Sequence, residues 1–291
     1  MDLDLRRLRY FVALAEELNY RAAAQRLHLA QPVLSRQIQT LERELGAQLF
    51  LRSTNGTRLT AAGEQLWKDA VALLASADGL RRRVGAAAGT TRTFTVGFMP
   101  GLTVTAATRG LADARPDVSV EVLRTDWTDQ VEVLRDGRVD VGFVRMPIDL
   151  TGLSTVHLFA EPHVAVVPVG HPLAGRGAVD IADLAADVLL QSADAIPEWT
   201  AIPGHEAHHG PTPAALSVEQ KLEWVAGGRG FSVLPQSVAD YYRRPDIAAL
   251  PLRDVAPNEI RLAWLTDHRT PIIDEFISLA RDSFTKDATP Q

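Results

Sequence analysis

The hydrophobic period of the chain changes once, near residue 90, and this change constrains the fold more than any other feature of the 291-residue sequence. Up to about residue 88, apolar residues recur at spacings of three and four, the period of amphipathic helices. From residue 92 onward, short apolar runs typical of strands alternate with helical segments. Because such alternation favours a parallel sheet covered by helices, we expect an all-α N-terminal region followed by an α/β body.

The composition is that of a globular protein, with 46% hydrophobic and 23% charged residues. The chain has no cysteine, which excludes disulfides, thiol catalysis and cysteine-based metal centres. Its acidic start, Met1-Asp2-Leu3-Asp4, lacks the features of a secretory signal. No apolar run approaches the ~18 residues of a membrane-spanning helix. We therefore expect a cytoplasmic protein that does not associate with membranes.

The net charge of −6 hides an asymmetry between the two regions. Residues 1–60 hold nine Arg and no Lys against six acidic residues, whereas residues 90–291 hold 17 basic against 27 acidic residues. A basic end on an acidic body is typical of a protein in which one small domain meets phosphate. Because an excess of three positive charges is modest, chance stays an alternative explanation.

Three short helices are predicted in residues 1–60. Asn19 offers a side-chain oxygen to cap the second helix, Pro32 stands in the first turn of the third, and Gly46 ends it. About three residues, 28–30, join the second and third helices. Two compact helices joined by so short a turn are typical of a helix-turn-helix.

The outer face of the third helix and a following hairpin carry the polar groups of this region. The helix presents side chains that hydrogen bond to base edges or pair with phosphates, namely Gln31, Ser35, Arg36, Gln39 and Arg43. Asn55-Gly56, between two short strand-like runs, predicts a hairpin with Arg52 and Arg58 near its tip. The pattern favours a winged helix-turn-helix that holds duplex DNA. A small helical bundle with a solvated polar face is the alternative.

A long helix is predicted over residues 61–88. Apolar residues in it alternate spacings of four and three over about three heptads: Leu66, Ala70, Leu73, Ala77, Leu80 and Val84. This pattern favours a linker helix that pairs with a second copy of the chain. The alternative is an amphipathic helix packed on its own chain. Glycines at 85 and 89 mark a hinge after it.

The α/β body, residues 90–291, is expected to form two subdomains. We place subdomain I at about 92–161 and 267–291, and subdomain II at about 162–266. Strands are predicted at 94–98, 119–123, 139–144, 164–167, 188–191, 230–234 and 262–266. The last of these is able to carry the chain back to subdomain I. Helices are predicted at 102–114, 128–136, 181–185, 218–226 and 271–283.

Ordered motifs along the chain resemble the LysR-type transcriptional regulators. The N-terminal motifs are residues 8–17 (LRYFVALAEE), 21–23 (RAA), 30–38 (AQPVLSRQI), 41–46 (LERELG), 49–50 (LF), Arg52 and 59–63 (LTAAG). Weaker matches follow at 140–143 (DVGF), 171–174 (HPLA), 225–230 (VAGGRG) and 234–235 (LP). One departure is Ala30, where many relatives have Ser, so the third helix loses one cap. The Ala-Gln-Pro form resembles the subset that responds to aromatic-pathway acids.

The resemblance implies a fold, partners and residue roles. The fold is a winged helix-turn-helix, a dimerising linker helix and a two-subdomain effector domain like a periplasmic binding protein. The assembly is a homodimer or a homotetramer with two DNA-reading dimers, and RNA polymerase is a further compatible partner. By resemblance, Gln31, Pro32, Ser35 and Arg36 enter the major groove, while Arg52 and Arg58 hold the wing on DNA. Two-fold symmetry then predicts an inverted-repeat operator.

A ligand is expected between the two subdomains, at the carboxyl ends of strands. Four segments fit this position, and they contribute Gly101, Leu102 and Thr103; Trp127 and Thr128; Arg145; and Pro197 and Trp199. A helix N-terminus after residue 102 and the Arg145 guanidinium both favour an anion. We expect a small organic anion, an aromatic or unsaturated carboxylate. Alternatively, both tryptophans are ordinary core or surface residues and Arg145 forms a structural ion pair.

Two other classes of function compete with a regulator. His205-Glu206-Ala207-His208-His209 fits the zinc-peptidase pattern His-Glu-x-x-His, in which two histidines bind zinc and the glutamate is the base. A zinc-dependent hydrolase is therefore the alternative, although Pro203-Gly204 and Gly210-Pro211 leave room for barely two helical turns. A pure solute receptor would not need the basic N-terminal region. We expect a non-enzymatic protein without metal or cofactor.

Overall fold

The structure is a computed structural model that describes residues 3–53, 56–87, 93–204 and 216–287. The chain divides into two compact units, an N-terminal helical unit and a C-terminal α/β unit. Within the described ranges, no helix is both long enough and apolar enough to cross a membrane.

The N-terminal unit begins with three helices, α1 (Leu5–Glu17), α2 (Tyr20–Arg26) and α3 (Gln31–Leu45). Local signals set their ends. The Asn19 side chain caps α2 by accepting hydrogen bonds from the backbone N–H groups of Arg21 and Ala22. Gly46 ends α3 in the left-handed conformation, at φ 64°. The predicted capping residue and the predicted stop are therefore confirmed.

A buried apolar core joins these helices to the elements that follow. The strands β1 (Phe50–Ser53) and β2 (Gly56–Leu59) pair antiparallel, and α4 (Ala61–Ala87) comes directly after them. The core is built from residues at helical spacing and from the first wing strand: Leu8, Phe11, Leu14, Tyr20, Leu34, Ile38, Leu41, Leu49 and Phe50. Burying each such side chain contributes roughly 1.5–3 kcal/mol, so the apolar face of α3 is fixed inward.

The hairpin forms where it was predicted, with a different register at its tip. Ser53 pairs with Gly56, so Gly56 belongs to the second strand rather than to the turn. Thr54 and Asn55 lie outside the described residues.

The first half of the apolar row predicted on α4 packs against the core of its own chain. Ala70, at 1% exposure, and Leu74 pack into the core of the N-terminal unit, and Leu66 packs against the same core. This differs from the prediction that Leu66 and Ala70 face a partner chain. The second half of the row stays uncovered, since Leu80 and Val84 are 57% and 60% exposed.

The C-terminal unit contains a five-stranded mixed sheet, which we call lobe 1. Its strands stand in the order β4-β3-β5-β10-β6. Their bounds are β3 (Thr93–Phe98), β4 (Ser119–Arg124), β5 (Val141–Arg145), β6 (Leu153–Glu161) and β10 (Asn258–Leu265). The sheet is parallel from β4 to β5, and β10 runs antiparallel to both of its neighbours. Three helices accompany these strands: α5 (Thr105–Ala114), α6 (Glu132–Arg135) and α10 (Pro271–Asp287).

A smaller three-stranded sheet, lobe 2, follows in the chain. Its order is β8-β7-β9 and both pairings are antiparallel. The strands are β7 (His163–Pro168), β8 (Ser232–Pro235) and β9 (Ile247–Pro251). The helices of this lobe are α7 (Pro197–Thr200), α8 (Val218–Ala226) and α9 (Gln236–Tyr241). The fold class is therefore confirmed, although only part of one sheet is parallel.

Three of the predicted details are wrong. The subdomain boundary at residue 266 places β10 in the second subdomain, whereas its hydrogen bonds to β5 and β6 place it in lobe 1. The run at 188–191 makes a single bridge, Leu189 to Phe231, and is not a strand. The helix predicted at 128–136 shortens to α6, because Asp126 and Asp129 hold the preceding residues in a turn.

Candidate functional sites

Helix α3 presents the predicted polar face to solvent. Gln31, Pro32 and Arg36 are exposed, Ser35 is partly exposed, and Leu34 on the opposite face is fully buried. Gln39 and Arg43 continue the same exposed face. The helix therefore separates an apolar side from a row of hydrogen-bonding and cationic groups, the arrangement that reads a DNA groove.

Arg36 keeps its guanidinium at the surface of α3. Its Nε donates to the Pro32 carbonyl oxygen at 3.3 Å, one turn earlier in the same helix. Ala30 precedes the helix without capping it, because its methyl group cannot accept a hydrogen bond. The backbone N–H groups of the first turn therefore have no acceptor in the Ala30 side chain.

Glu42 connects the wing to α3, a role that is not visible in the sequence. The Glu42 carboxylate accepts hydrogen bonds from the backbone N–H groups of Leu49 and Phe50, at 2.8 and 3.2 Å. An ion pair between Arg7 and Glu44 holds the same end of α3 to α1. Both acids sit in a motif, residues 41–46, that shows no sign of these roles in the sequence.

The two arginines predicted for the wing differ in what the structure describes. Arg58 lies on β2 opposite Leu51, and both are exposed. The backbone of Arg52 pairs with Thr57, while its side chain lies outside the described part of the structure. Arg58 is therefore an exposed cation on the hairpin.

The segment before α5 combines buried and exposed predicted residues. Thr103 is exposed, whereas Leu102 is 7% exposed and belongs to the core of lobe 1. Gly101 adopts φ +80°, and a Cβ atom there would lie 2.7 Å from the backbone of Val238 on α9. Gly101 thus allows the backbones of the two lobes to touch.

We expect Gly101→Ala to destabilise the C-terminal unit by about 2–4 kcal/mol, because it adds a backbone clash to the cost of a positive φ. Thermal unfolding measures this loss. Gly152→Ala is the matched control, since Gly152 also has a positive φ, +75°, but a Cβ atom there meets nothing within 4 Å. Equal destabilisation by the two variants would show that the contact between the lobes does not matter.

Trp127 and Thr128 follow β4 and line a cavity of about 260 Å³. The other lining residues come from the same loop, α6 and the segment after β5: Gln130, Val131, Glu132, Arg135, Pro147, Ile148 and Asp149. Arg135 and Asp149 form an ion pair at its wall, 2.6 Å between Nη2 and Oδ2. Hydrogen bonds from the hydroxyl and the backbone N–H of Thr151, and then the contact with Arg135, hold the pKa of Asp149 well below its ordinary value. Trp127 also packs against the cores of both lobes.

Arg145 forms a buried ion pair rather than facing solvent. It is 1% exposed, and its Nη1 donates to Glu161 Oε1 at 2.6 Å and to Asn258 Oδ1 at 2.7 Å. Its Nη2 donates to Ser237 Oγ at 2.9 Å, and the second Glu161 oxygen accepts from the Ser237 N–H at 2.6 Å. Burial lowers the pKa of Arg145, and the Glu161 carboxylate opposes that shift.

This network joins the ends of three lobe 1 strands to the start of α9 in lobe 2. We therefore assign Arg145 to the structural ion pair that was left open as the alternative. Sequence reasoning missed Glu161, Ser237 and Asn258 because up to 113 residues separate the partners.

Trp199 is likewise part of a core. It is fully buried in lobe 2, and its ring contacts Phe231 edge-on, with centroids 5.2 Å apart. Pro197 begins α7 and is exposed, so of these two residues Pro197 alone presents its side chain to solvent.

The zinc-peptidase pattern, residues 205–209, lies outside the described residues. Among the residues that the structure does describe, no group of three or more His, Asp or Glu side chains is placed to hold a metal.

Two protein-family models match the chain. "Bacterial regulatory helix-turn-helix protein, lysR family" matches residues 5–64, and "LysR substrate binding domain" matches residues 87–285. Together they account for both units of the structure.

Similar proteins cover nearly the whole chain. The Hca operon transcriptional activator HcaR of Escherichia coli strain K12 is 31% identical over 96% of this chain and 98% of its own. The HTH-type transcriptional regulator CatR of Pseudomonas putida is 34% identical over 95% of this chain and 98% of its own. The crystal structure of CbnR, a LysR family transcriptional regulator, matches with a TM-score of 0.64 and 27% identity, covering 97% of this chain and 99% of CbnR. Full-length CbnR complexed with its target DNA matches with a TM-score of 0.60 and the same identity, covering 97% of this chain and all of that one.

Proposed function

Since the chain belongs to the LysR family of transcriptional regulators, a family of DNA-binding, effector-binding and oligomer-forming proteins, we propose the residues and the ligand class by which it acts. Gln31, Pro32, Ser35 and Arg36 enter the major groove of an inverted-repeat operator, and Arg52 and Arg58 hold the wing against the adjoining minor groove or backbone. The observation that carries this proposal is the division of α3 into a buried apolar face and an exposed polar face.

Binding of the protein to the DNA upstream of its own gene tests this proposal. We expect fluorescence anisotropy to show binding that is stronger than to scrambled DNA of equal length and that weakens as salt concentration rises, because phosphate contacts release counterions. Equal affinity for both sequences would contradict a role in reading base sequence.

A single α3 offers few base contacts, so we propose that the chain binds as a dimer through α4 and as a homotetramer of two such dimers. The exposed stripe on the second half of α4 supports this, because it leaves Leu73, Leu80 and Val84 uncovered in one chain. Large apolar side chains in a row on a helix are typical of a surface that meets another helix.

We expect Leu80→Glu to raise the dimer dissociation constant by about 100-fold or more, because each protomer loses a buried leucine worth roughly 1.5–3 kcal/mol. Sedimentation velocity at micromolar concentration checks this. Ala72→Glu is the control, since Ala72 is exposed but lies away from the stripe. A mass unchanged by Leu80→Glu would show that the stripe is not the dimer contact.

We further propose that the effector is a small organic anion, an aromatic or unsaturated carboxylate, bound by the segments that follow the lobe 1 strands and by the facing part of lobe 2. Thr103, Trp127, Thr128 and Pro197 are the predicted residues with exposed or partly exposed side chains. Gly101, Leu102, Arg145 and Trp199 support this region from inside the two lobes. Isothermal titration with a panel of such acids tests the ligand class.

HcaR, CatR and CbnR give no support to the zinc-dependent hydrolase, because these similar proteins, which cover nearly the whole chain, are transcriptional regulators. We also propose a cytoplasmic location, where operator DNA is reached, and RNA polymerase as a further partner at the promoter.

A further inference from the structure

One lysine of lobe 2 lies against the tryptophan of lobe 1. Lys221 is on α8, and its Nζ is 5.6 Å from the centroid of the Trp127 ring. The chain has three lysines, Lys68, Lys221 and Lys286, and uses arginine for its other side-chain cations. A flexible ammonium therefore stands where the loop after β4 meets the helix of the facing lobe.

The carboxylates nearest to Lys221 along α8 are engaged by other groups. Glu219 accepts a hydrogen bond from the Tyr242 hydroxyl at 2.8 Å and lies 3.8 Å from Arg124. Glu223 pairs with Arg244 at 2.6 Å. In the described ranges, no ion pair joins Lys221 to a carboxylate. Arg124 and Arg244 differ from Lys221, because each has an acidic partner.

Lys221 is also partly withdrawn from water. Burial lowers its pKa, and the charge of Asp126 opposes that shift without a direct contact. Asp126 itself accepts a hydrogen bond from the backbone N–H of Trp127 at 2.7 Å. A cation in such a place gains more from an incoming anion than a fully solvated one does, since less water screens the pair.

We propose that Lys221 pairs with the acid group of the effector while the Trp127 ring stacks on its flat apolar part, so that the effector is a planar carboxylate held by one residue from each lobe. This role of Lys221 and Trp127 rests on the proposed effector-binding function, and it specifies which side chains recognise the ligand. Because the two residues belong to different lobes, the bound acid links lobe 1 to lobe 2.

The test uses the full-length protein with benzoate and trans-cinnamate, and with benzamide and cinnamamide as uncharged counterparts, in isothermal titration. We expect the acids to bind and the amides not to bind. Lys221→Met should weaken binding of the acids by about tenfold or more, the size expected for a hydrogen bond to a charged group. Lys221→Arg should retain part of the affinity.

Arg229→Met is the matched control, because Arg229 lies over the Trp224 ring at 4.8 Å in the same lobe but is exposed. It should leave the affinity unchanged. Lys221→Gln replaces Lys221→Met if the latter lowers the thermal stability of the protein.

Three results would overturn the assignment. If Lys221→Met bound the acids with unchanged affinity, Lys221 would have no role in binding, although a carboxylate would still be the ligand class. Equal binding of amides and acids would show that no cation reads the ligand. Absence of binding by both acids would remove the planar carboxylate, while operator binding by the same sample would show that the proposed regulatory function still holds.

Discussion

Arg36→Ala is expected to abolish operator binding at protein concentrations that saturate the wild type. A good bidentate contact to a base is worth roughly 1–3 kcal/mol, and a dimer loses it twice, so affinity should fall by about 30-fold to more than 1,000-fold. The fold should not change, because Arg36 is exposed and its side chain bonds only to the Pro32 carbonyl of its own helix within the described residues.

Two controls separate base reading from general loss of charge. Arg109→Ala removes another exposed arginine, from α5, and should leave operator affinity unchanged. Unfolding temperatures of the wild type and the Arg36→Ala variant should agree. If Arg36→Ala bound the operator as tightly as the Arg109→Ala control, α3 would not be the helix that reads DNA.

Glu161→Ala is expected to have the largest effect on stability. The substitution leaves the guanidinium of Arg145 buried without its counter-charge, a situation that costs roughly 3–5 kcal/mol. It also removes the oxygens that bind the N–H and the hydroxyl of Ser237. For a unit of this size, each kcal/mol lowers the midpoint of thermal unfolding by about 2–4 °C, so a fall of roughly 6–20 °C should follow.

The control is an ion pair with the same N–O distance as Glu161–Arg145, but with exposed side chains. Asp240 and Arg243 also lie 2.6 Å apart, but their side chains are 45% and 80% exposed. Asp240→Ala should therefore cost less than about 1 kcal/mol. The double variant Glu161→Leu with Arg145→Met should recover part of the stability lost in Glu161→Ala, because no buried charge is left unpaired. Equal unfolding temperatures for Glu161→Ala and Asp240→Ala would contradict a structural role for the buried pair.

The first three helices of the N-terminal unit could be predicted because their signals are local. Asn19 caps the helix that it precedes, and Gly46 ends the helix that it follows. The buried face of α3 follows from the helical spacing of Leu34, Ile38 and Leu41. Each of these signals acts within a few residues, so one sequence contains all that is needed to read it.

The C-terminal unit could be predicted only in part, because its decisive contacts join distant residues. The strand predicted at 262–266 was recognised as able to carry the chain back to the first subdomain, but the boundary was set after it, since its apolar pattern suits either sheet. The strand β6 was missed because many of its side chains stay half exposed, which weakens the apolar signal in the sequence. Its pairing with β10 at eight of nine positions becomes visible only in the fold.

The candidate ligand residues show the same limit. Arg145 was recognised as a cation at the end of a strand, but its partner Glu161 becomes visible only when β5, β6 and α9 meet. Lys221 was not singled out at all, because only the folded chain brings α8 next to Trp127. Sequence alone places charged residues on elements, and packing decides which of them are already neutralised.

The most direct measurement is a nuclease footprint of the purified full-length protein on the DNA that adjoins its own gene, at low ionic strength, with the mass of the complex determined in parallel. Two symmetry-related protected segments, about one helical turn apart or a multiple of it, should appear, occupied by a dimer or a tetramer. A protein that stays monomeric and protects no part of that DNA would contradict the role assigned to the exposed face of α3.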